Sequence, residues 1–515
     1  MRFKQFLENP ANWVTIAFLA VSAMAAVLFA SLFSRVAELG FVSDDYLLLV
    51  EDANLPWYAS SDHLYRVFRN GLCRLLPRFL GMQPQPYHVV GAIAFLACLV
   101  LLALFLRQEG AGVIGTTAGL VLVAFCPRND PQMFGFVWLQ ESGAAAGILA
   151  GLILWRIFRQ SGSRSAWLLA LASFAVGIGF KETAVVFPAL VLAMDLFHAR
   201  VDWKRVKDRQ FWMPYLGVAF VAVAYMALVL SQSGGRLRTP DPRGVYETHD
   251  LPAAALALVR DIFNLALLFK PGFGLRDMRA EQYALAALVG GILLLMVWRS
   301  GTLDRWLVSG VWVLATFFPP SMFARQNNVH QYFFLPIIGL AFGLSATVSV
   351  LSRRQLRLGV GLAAAMLVYA TAGTRVLEYE RNLWVAGGRT TQEFVRQVVT
   401  LSPPTETNSL ILVNSPASFE NIVPVLASGL RGALFNAGYH RNLRGMYMPE
   451  ADDKLLLETL NACPSEPTAA PGRILVRMQG KVIDRTGYCA QALINADLKQ
   501  HPWRWLQIYS ATPAP

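Results

Sequence analysis

"WLLALASFAVGIGFKETAVVFPALVLAMDLF", residues 167–197, carries only Lys181, Glu182 and Asp195 as charges. As one helix it would be about 46 Å long at 1.5 Å per residue, against a hydrocarbon core of about 30 Å. Both flanks are basic: Arg156, Arg159 and Arg164 precede the run, and "HARVDWKRVKDR" (198–209) follows it. Lys and Arg gather in the inner loops of membrane proteins. Both ends of the run therefore belong on one side, and the chain turns back at Lys181–Glu182 to make two short helices. A turn at that depth is tolerated only where protein or a water-filled cavity surrounds it. An ionisable pair there is a candidate functional site; a Lys–Glu pair that satisfies itself while closing a helical hairpin is the structural alternative.

Other apolar runs fall at 13–33, 88–106, 112–126, 140–155, 211–231, 282–298, 306–319, 332–350 and 358–373. With 167–180 and 183–197 they make about eleven spans of roughly 15–20 residues. An odd number puts the termini on opposite sides. The first run exceeds the roughly 7–15 apolar residues of a signal peptide, so it reads as an uncleaved span, with Arg2 and Lys4 holding the N-terminus inside. Inner loops then carry Arg107, the two basic flanks above, Arg299 and Arg305, and "SRRQLR" (352–357). Arg236, Arg238, Arg243, Arg260, Lys270, Arg276 and Arg279 break the trend in an expected outer loop, 232–281. That loop is long enough to weaken the charge rule, unless its cations bind an anion.

The composition agrees: 55% of the 515 residues are hydrophobic and 15% charged, beyond the range of ordinary soluble domains. The net charge of +12 sits largely in short loops, which argues against nucleic-acid binding. From about Arg375 the hydropathy drops. "SLILVNSP" (409–416) reads as a strand, "FENIVPVLASGLRGALFNAG" (419–438) as a helix stopped by Gly438, and "RILVRMQGKVIDRT" (473–486) as a hairpin turning near Gly480. The expected fold is mainly α: a polytopic helical membrane domain, 1–374, with its N-terminus inside, and a small α/β domain outside the membrane, 375–515. Cys463 and Cys489, in that outer region, are candidates for a disulfide if it faces an oxidising compartment. Cys73, Cys98 and Cys126 read as small apolar residues.

No Walker loop, Rossmann glycine fingerprint, His-Glu-x-x-His or Gly-x-Ser-x-Gly elbow is present. Polar chemistry gathers instead in the first outer segment, 35–87. There "GFVSDDYLLLVEDANLPWY" (40–58) follows the first span and holds Asp44, Asp45, Glu51 and Asp52. Ser43 can cap a helix starting at Asp44, with the acids in the favoured first turn. Such a helix also holds a carboxylate rigidly at the lipid–water boundary.

An acidic pair just after the first span resembles the GT-C-type polytopic glycosyltransferases, especially their protein O-mannosyltransferase-like branch. "LYRVFRNGLCRLLPRFLGMQPQPYHVV" (64–90) is similar to that branch's Tyr-Arg-Pro segment and Gly-x-x-Pro-x-x-Tyr-His entry into the second span. "FKETAVVFPALVLAMDL" (180–196) is similar to its Ser-Lys-Glu segment, and "HQYFFLPIIGLAFGLS" (330–345) to its Arg-Tyr-x-Tyr-Leu-Pro-x-x-Gly segment. There are departures: Val67 stands for the proline, Phe180 for the serine, and Gln331 for the arginine before Tyr332. Arg325, six residues earlier, is a candidate for the missing cation.

The resemblance implies a sugar transferase of the cytoplasmic (inner) membrane whose active site faces the periplasm. Its donor would be a hexose or pentose on a polyprenyl phosphate, and its acceptor a glycan, lipid or protein. The phosphate is already a good leaving group, so one carboxylate can serve as general base on the acceptor hydroxyl. A single displacement then inverts the anomeric carbon, and cations hold the departing phosphate. Asp45 is the first choice of base and Asp44 the second; Arg66, Lys181 and Arg325 are the phosphate candidates. Glu141, Glu182, His330 and Tyr332 complete the expected substrate site. No cofactor is required, and the adjacent aspartates suit a metal-independent or a divalent-metal enzyme alike. The rivals are a lipid or sugar flippase, which would bring inverted repeats and midplane polar groups, and a membrane-anchored envelope-assembly protein working through 375–515.

Overall fold

The computed structural model describes residues 10–42, 44–51, 66–198, 206–232, 251–266, 280–321, 332–354 and 356–404, and in the region beyond 410–413, 418–419, 423–424, 433–434, 436–439, 473–478 and 481–484. Its longer helices are α1 (Pro10–Phe33), α2 (Val67–Leu80), α3 (Pro84–Gln108), α4 (Val113–Ala124), α5 (Leu139–Ser161), α6 (Arg164–Phe180), α7 (Phe187–His198), α8 (Arg209–Gln232), α9 (Leu251–Ala266), α10 (Ala280–Ser300), α11 (Leu303–Ser321), α12 (Phe334–Arg354) and α13 (Leu356–Leu401). The apolar runs of the sequence fall on α1, α3 to α8 and α10 to α13. Among the described residues 7 helices (α1, α3, α5, α8, α10, α12 and α13) are long and apolar enough to cross a membrane, while α4 and α6 are shorter apolar helices. The chain is a multi-pass membrane protein. Segment 232–281, expected as a loop, contains α9, whose Ala- and Leu-rich sequence favours helix.

Small residues bring α5 and α6 together. Gly162, with φ 71, ends α5, and its N–H donates to the Phe158 carbonyl at 2.8 Å; left-handed backbone of this kind is what glycine supplies at a helix C-terminus. Ser163 Oγ then accepts from Ala166 N at 3.3 Å and starts α6. Along α5, Gly143, Gly147 and Gly151 recur every fourth residue, and a Cβ on Gly147 would lie 2.5 Å from Gly177 Cα. Such glycine spacing lets helix backbones approach closely in a membrane.

The long apolar run does break. α6 ends at Phe180, Lys181 is extended, and a 3-10 turn over Glu182–Val186 leads into α7. Side chains give the direction of α7. Lys181 meets Glu141 at the head of α5, and Asp195 meets Arg159 in the last turn of α5, with Nη2 2.6 Å from Oδ2. Thus α7 runs alongside α5 and back past α6. Glu141 and Arg159 are separated by about 27 Å along the helix axis, close to the thickness of a hydrocarbon core. At the Arg159 end, His198 Nε2 lies 3.0 Å from Glu109 Oε2, and Arg305 Nη1 donates to the Glu109 carbonyl at 3.1 Å.

Beyond the membrane helices, β1 (Leu410–Val413), β4 (Arg473–Met478) and β5 (Lys481–Asp484) form a sheet in the order β1-β4-β5, while β2 (Ser418–Phe419) pairs with β3 (Val423–Pro424). β1 and β4 are parallel; β4 and β5 are antiparallel and reach Met478↔Lys481, so Gln479 and Gly480 join them as the sequence predicts. The helix expected over 419–438 is corrected at its start, where β2 and β3 lie: proline at 424 disfavours a helix interior, and Ile422 and Val423 favour extended backbone. Ala433 and Leu434 are helical, and Gly438 has φ 102. The 46 residues of α13 run unbroken through position 375, where the hydropathy falls. Cys463 and Cys489 lie outside the described residues.

Candidate active site

The segment that follows α1 is bound to the bundle through Asp45. A short helix over Asp44–Tyr46 opens into a wider π turn over Leu47–Glu51. Asp45 is buried; its Oδ2 accepts from Val42 N at 3.0 Å and its Oδ1 from Val137 N at 2.9 Å. Both carboxylate oxygens thus serve as acceptors for backbone donors, one local and one from the segment leading into α5. Burial, with the Asp45 charge beside it, pushes the Tyr46 hydroxyl above the usual phenol range. At the next helix His88, buried at the start of α3, lies 3.3 Å by Nε2 from the Gly40 carbonyl.

Val137 belongs to a buried connection between α4 and α5. It consists of a 3-10 turn (Pro127–Asn129), a short helix (Asp130–Phe134) and a second 3-10 turn (Phe136–Trp138). Buried connections must satisfy their polar groups internally. Here Asn129 Nδ2 donates to the Val123 carbonyl at 2.7 Å, and Trp384 Nε1 of α13 donates to Asp130 Oδ2 at 3.0 Å. The connection ends at Gln140 and Glu141, on the first turn of α5.

Two crossed ion pairs form there. The Lys181 ammonium meets Glu141 Oε1, with both side chains buried, and lies 4.8 Å from the Tyr332 ring centroid. Glu182 turns instead to Arg66, whose Nε and Nη2 donate to its two oxygens at 2.7 and 2.8 Å. A planar guanidinium matches a carboxylate in this way with two parallel bonds. Lys181 and Glu182 therefore do not form the self-satisfied hairpin pair. Each binds a partner from a different element, and the pairs join α2, α5, the 3-10 turn before α7 and the approach to α12.

Sequence reasoning named Arg66, Glu141, Lys181, Glu182 and Tyr332, and the structure brings these together. Asp45 is linked to them through Val137, three residues before Gln140. Only the backbone of Asp44 is described, and Arg325 and His330 lie outside the described residues. Arg69 and Gln140 were missed. Gln140 Oε1 accepts from Arg66 Nη1 at 2.9 Å and from Arg69 Nη1 at 3.2 Å, and Arg69 Nε also donates to Asn70 Oδ1 at 2.9 Å. Two signals pointed to them: Arg69 follows Arg66 by one helical turn, on the same face, and Gln140 directly precedes Glu141. The inward face of α2 carries Arg69, Asn70 and Cys73, while Phe68, Leu75 and Phe79 are exposed.

No protein-family model matches the chain, and no curated protein matches its sequence. Among solved structures the chain is similar to ArnT from Cupriavidus metallidurans. The apo structure matches with a TM-score of 0.47 and 14% identity, over 90% of this chain and 93% of that one. The structure bound to undecaprenyl phosphate matches with a TM-score of 0.45 and 13% identity, over 92% of this chain and 97% of that one.

Proposed function

We propose that the chain is a GT-C-type membrane glycosyltransferase. It moves a sugar from a polyprenyl-phosphate donor to an acceptor hydroxyl at the outer face of the cytoplasmic membrane, with inversion. The observation that carries this reading is the pair of crossed ion pairs, Arg66–Glu182 and Lys181–Glu141. They join segments 64–90 and 180–196, which are far apart in sequence and each resemble the same class of enzyme, and Lys181 also lies 4.8 Å from the Tyr332 ring centroid in the third such segment. They also concentrate cations beside the segment bearing Asp44 and Asp45, as a phosphate leaving group requires.

In the proposed step the acceptor oxygen attacks the anomeric carbon as its proton passes to an aspartate. The bond from that carbon to the phosphate oxygen breaks, and its electron pair leaves on the polyprenyl phosphate. Asp44 is now the preferred base. Asp45 already accepts from two backbone amides, one on each carboxylate oxygen, which commits it to fixing the turn that carries Asp44. The step needs no cofactor. A divalent ion at the aspartate pair would share the Asp45 oxygens with the Val42 and Val137 N–H groups.

The test uses the purified protein in liposomes with a polyprenyl-phosphate-linked sugar labelled in the sugar. Release of polyprenyl phosphate that disappears in the Asp44→Asn, Asp45→Asn double variant is the expected result. Undiminished release by that folded double variant would overturn the aspartate-base reading.

A further inference from the structure

One stripe of α13 touches both backbone segments that hold Asp45. Arg381, Trp384 and Gly388 stand at positions i, i+3 and i+7, on one face of the helix, and all three are buried. Arg381 Nη1 donates to the Ser31 and Leu32 carbonyls at 3.4 and 3.5 Å, in the last turn of α1, where a cation is favoured. Gly388 meets the stretch after α1 with no side chain between them: a Cβ on it would lie 2.8 Å from Gly40 Cα. Two residues on from Gly40, Val42 N donates to Asp45 Oδ2. Trp384 meets the connection between α4 and α5. Its Nε1 donates to Asp130 Oδ2, and a Cβ on Gly135 would lie 3.0 Å from its ring. Two residues on from Gly135, Val137 N donates to Asp45 Oδ1. The two amides come from segments far apart in the chain, and one helix face backs both.

We propose that Trp384 and Gly388 are positioning residues for sugar transfer: their face of α13 sets the gap between the Val42 and Val137 N–H groups, and through Asp45 it sets where Asp44 stands. The proposal rests on the aspartate-base reading above and extends it to a helix far along the chain. A general base works only within hydrogen-bond reach of the proton it takes, and a misplacement of about 1 Å can cost about a hundredfold in rate. Carbon atoms pack at about 3.5–4.0 Å, so a methyl on Gly388 has to push Gly40 and α13 apart by about 1 Å. Losing the indole N–H of Trp384 removes its bond to Asp130 and loosens the Val137 side instead.

The test measures kcat and donor KM for Gly388→Ala and Trp384→Phe, each alone and in the Asp44→Asn background. The full-length protein in liposomes is given the polyprenyl-phosphate donor labelled in its sugar. Gly388→Ala is expected to lower kcat by about tenfold to a hundredfold and Trp384→Phe by about tenfold. Donor KM should change by less than about twofold, the scatter of independent sites. In the Asp44→Asn background neither change should lower the residual rate by more than about twofold, because no base is left to misplace. Gly361→Ala, on the same helix with nothing within 4 Å of the added Cβ, should leave turnover unchanged. A merely structural role predicts the same fold loss in both backgrounds, and that result overturns the proposal. An unchanged kcat in both variants, or a loss confined to donor KM, also overturns it; with Asp44→Asn impaired, the base reading stands. Transfer by Asp44→Asn at the wild-type rate overturns both. If Gly388→Ala does not fold, Trp384→Phe, which keeps an aromatic ring in place, carries the test by the same criteria.

Discussion

Lys181 makes its ion pair with Glu141, on the first turn of α5, although Glu182 is its neighbour in the chain. Both charges are almost wholly buried. Removing one partner of such a pair leaves the other unpaired in a low-dielectric site, at a cost of about 3–5 kcal/mol. Glu141→Gln should therefore unfold at clearly lower temperature in detergent. The apolar double variant Glu141→Leu, Lys181→Met should recover much of that stability but not donor use. A double variant with normal donor dependence would make the pair purely structural.

The two adjacent aspartates should separate in their effects. Asp44→Asn is expected to fold normally and lose transfer by about a hundredfold to ten-thousandfold, the contribution of a general base. Asp45→Asn offers one acceptor oxygen where two backbone N–H groups need one each, and should lower stability by about 1–3 kcal/mol. Unfolding curves and turnover on the same preparations distinguish the two, and the reverse pattern would return the base to Asp45.

Arg66 binds Glu182 through two parallel bonds. An ammonium cannot reproduce that geometry, so Arg66→Lys should raise donor KM by about tenfold even though the charge is kept. Glu182→Gln keeps one acceptor and should have the smaller effect. Steady-state kinetics on both variants checks the order.

Helix approach gives a prediction about glycines. A Cβ at Gly147 would meet Gly177 Cα at 2.5 Å, whereas one at Gly290 in α10 would meet nothing within 4 Å. Gly147→Ala should cost about 1–3 kcal/mol, as overpacking does; it would also shift Glu141 away from Lys181 and lower activity. Gly290→Ala should be neutral or stabilising by about 0.5–1 kcal/mol, the helical gain over glycine. Equal melting temperatures for the two variants would contradict the tight α5–α6 contact.

Much of this arrangement was legible in the sequence because membrane constraints are coarse and strong. The length of the 167–197 run, set against its basic flanks, forced the break at Lys181, and the hairpin at Gln479–Gly480 followed from local turn chemistry. What was not legible depends on packing between distant segments. Nothing near Lys181 in the chain indicates that Glu141 lies closer to its ammonium than Glu182 serves it as a partner. The anchoring of Asp45 by the Val137 N–H is equally silent, because a backbone donor leaves no mark in a side-chain pattern. The four-residue spacing of Gly143, Gly147 and Gly151 was not read from the sequence, although such spacing is a mark of close helix contact in a membrane. The helix expected over 419–438 is wrong at its start for a local reason, the proline at 424.

The unbroken α13 has a mechanical consequence. At 1.5 Å per residue its 46 residues make a rod of about 69 Å. Past its midpoint Trp384 Nε1 donates to Asp130 Oδ2, and near its C-terminal end Gln397 Oε1 accepts from Val482 N at 2.7 Å. Such a rod transmits rotation as well as position. One residue inserted between these two contacts would turn everything beyond it by about 100°, so the phase of the helix, and not only its length, sets which side of it meets β5.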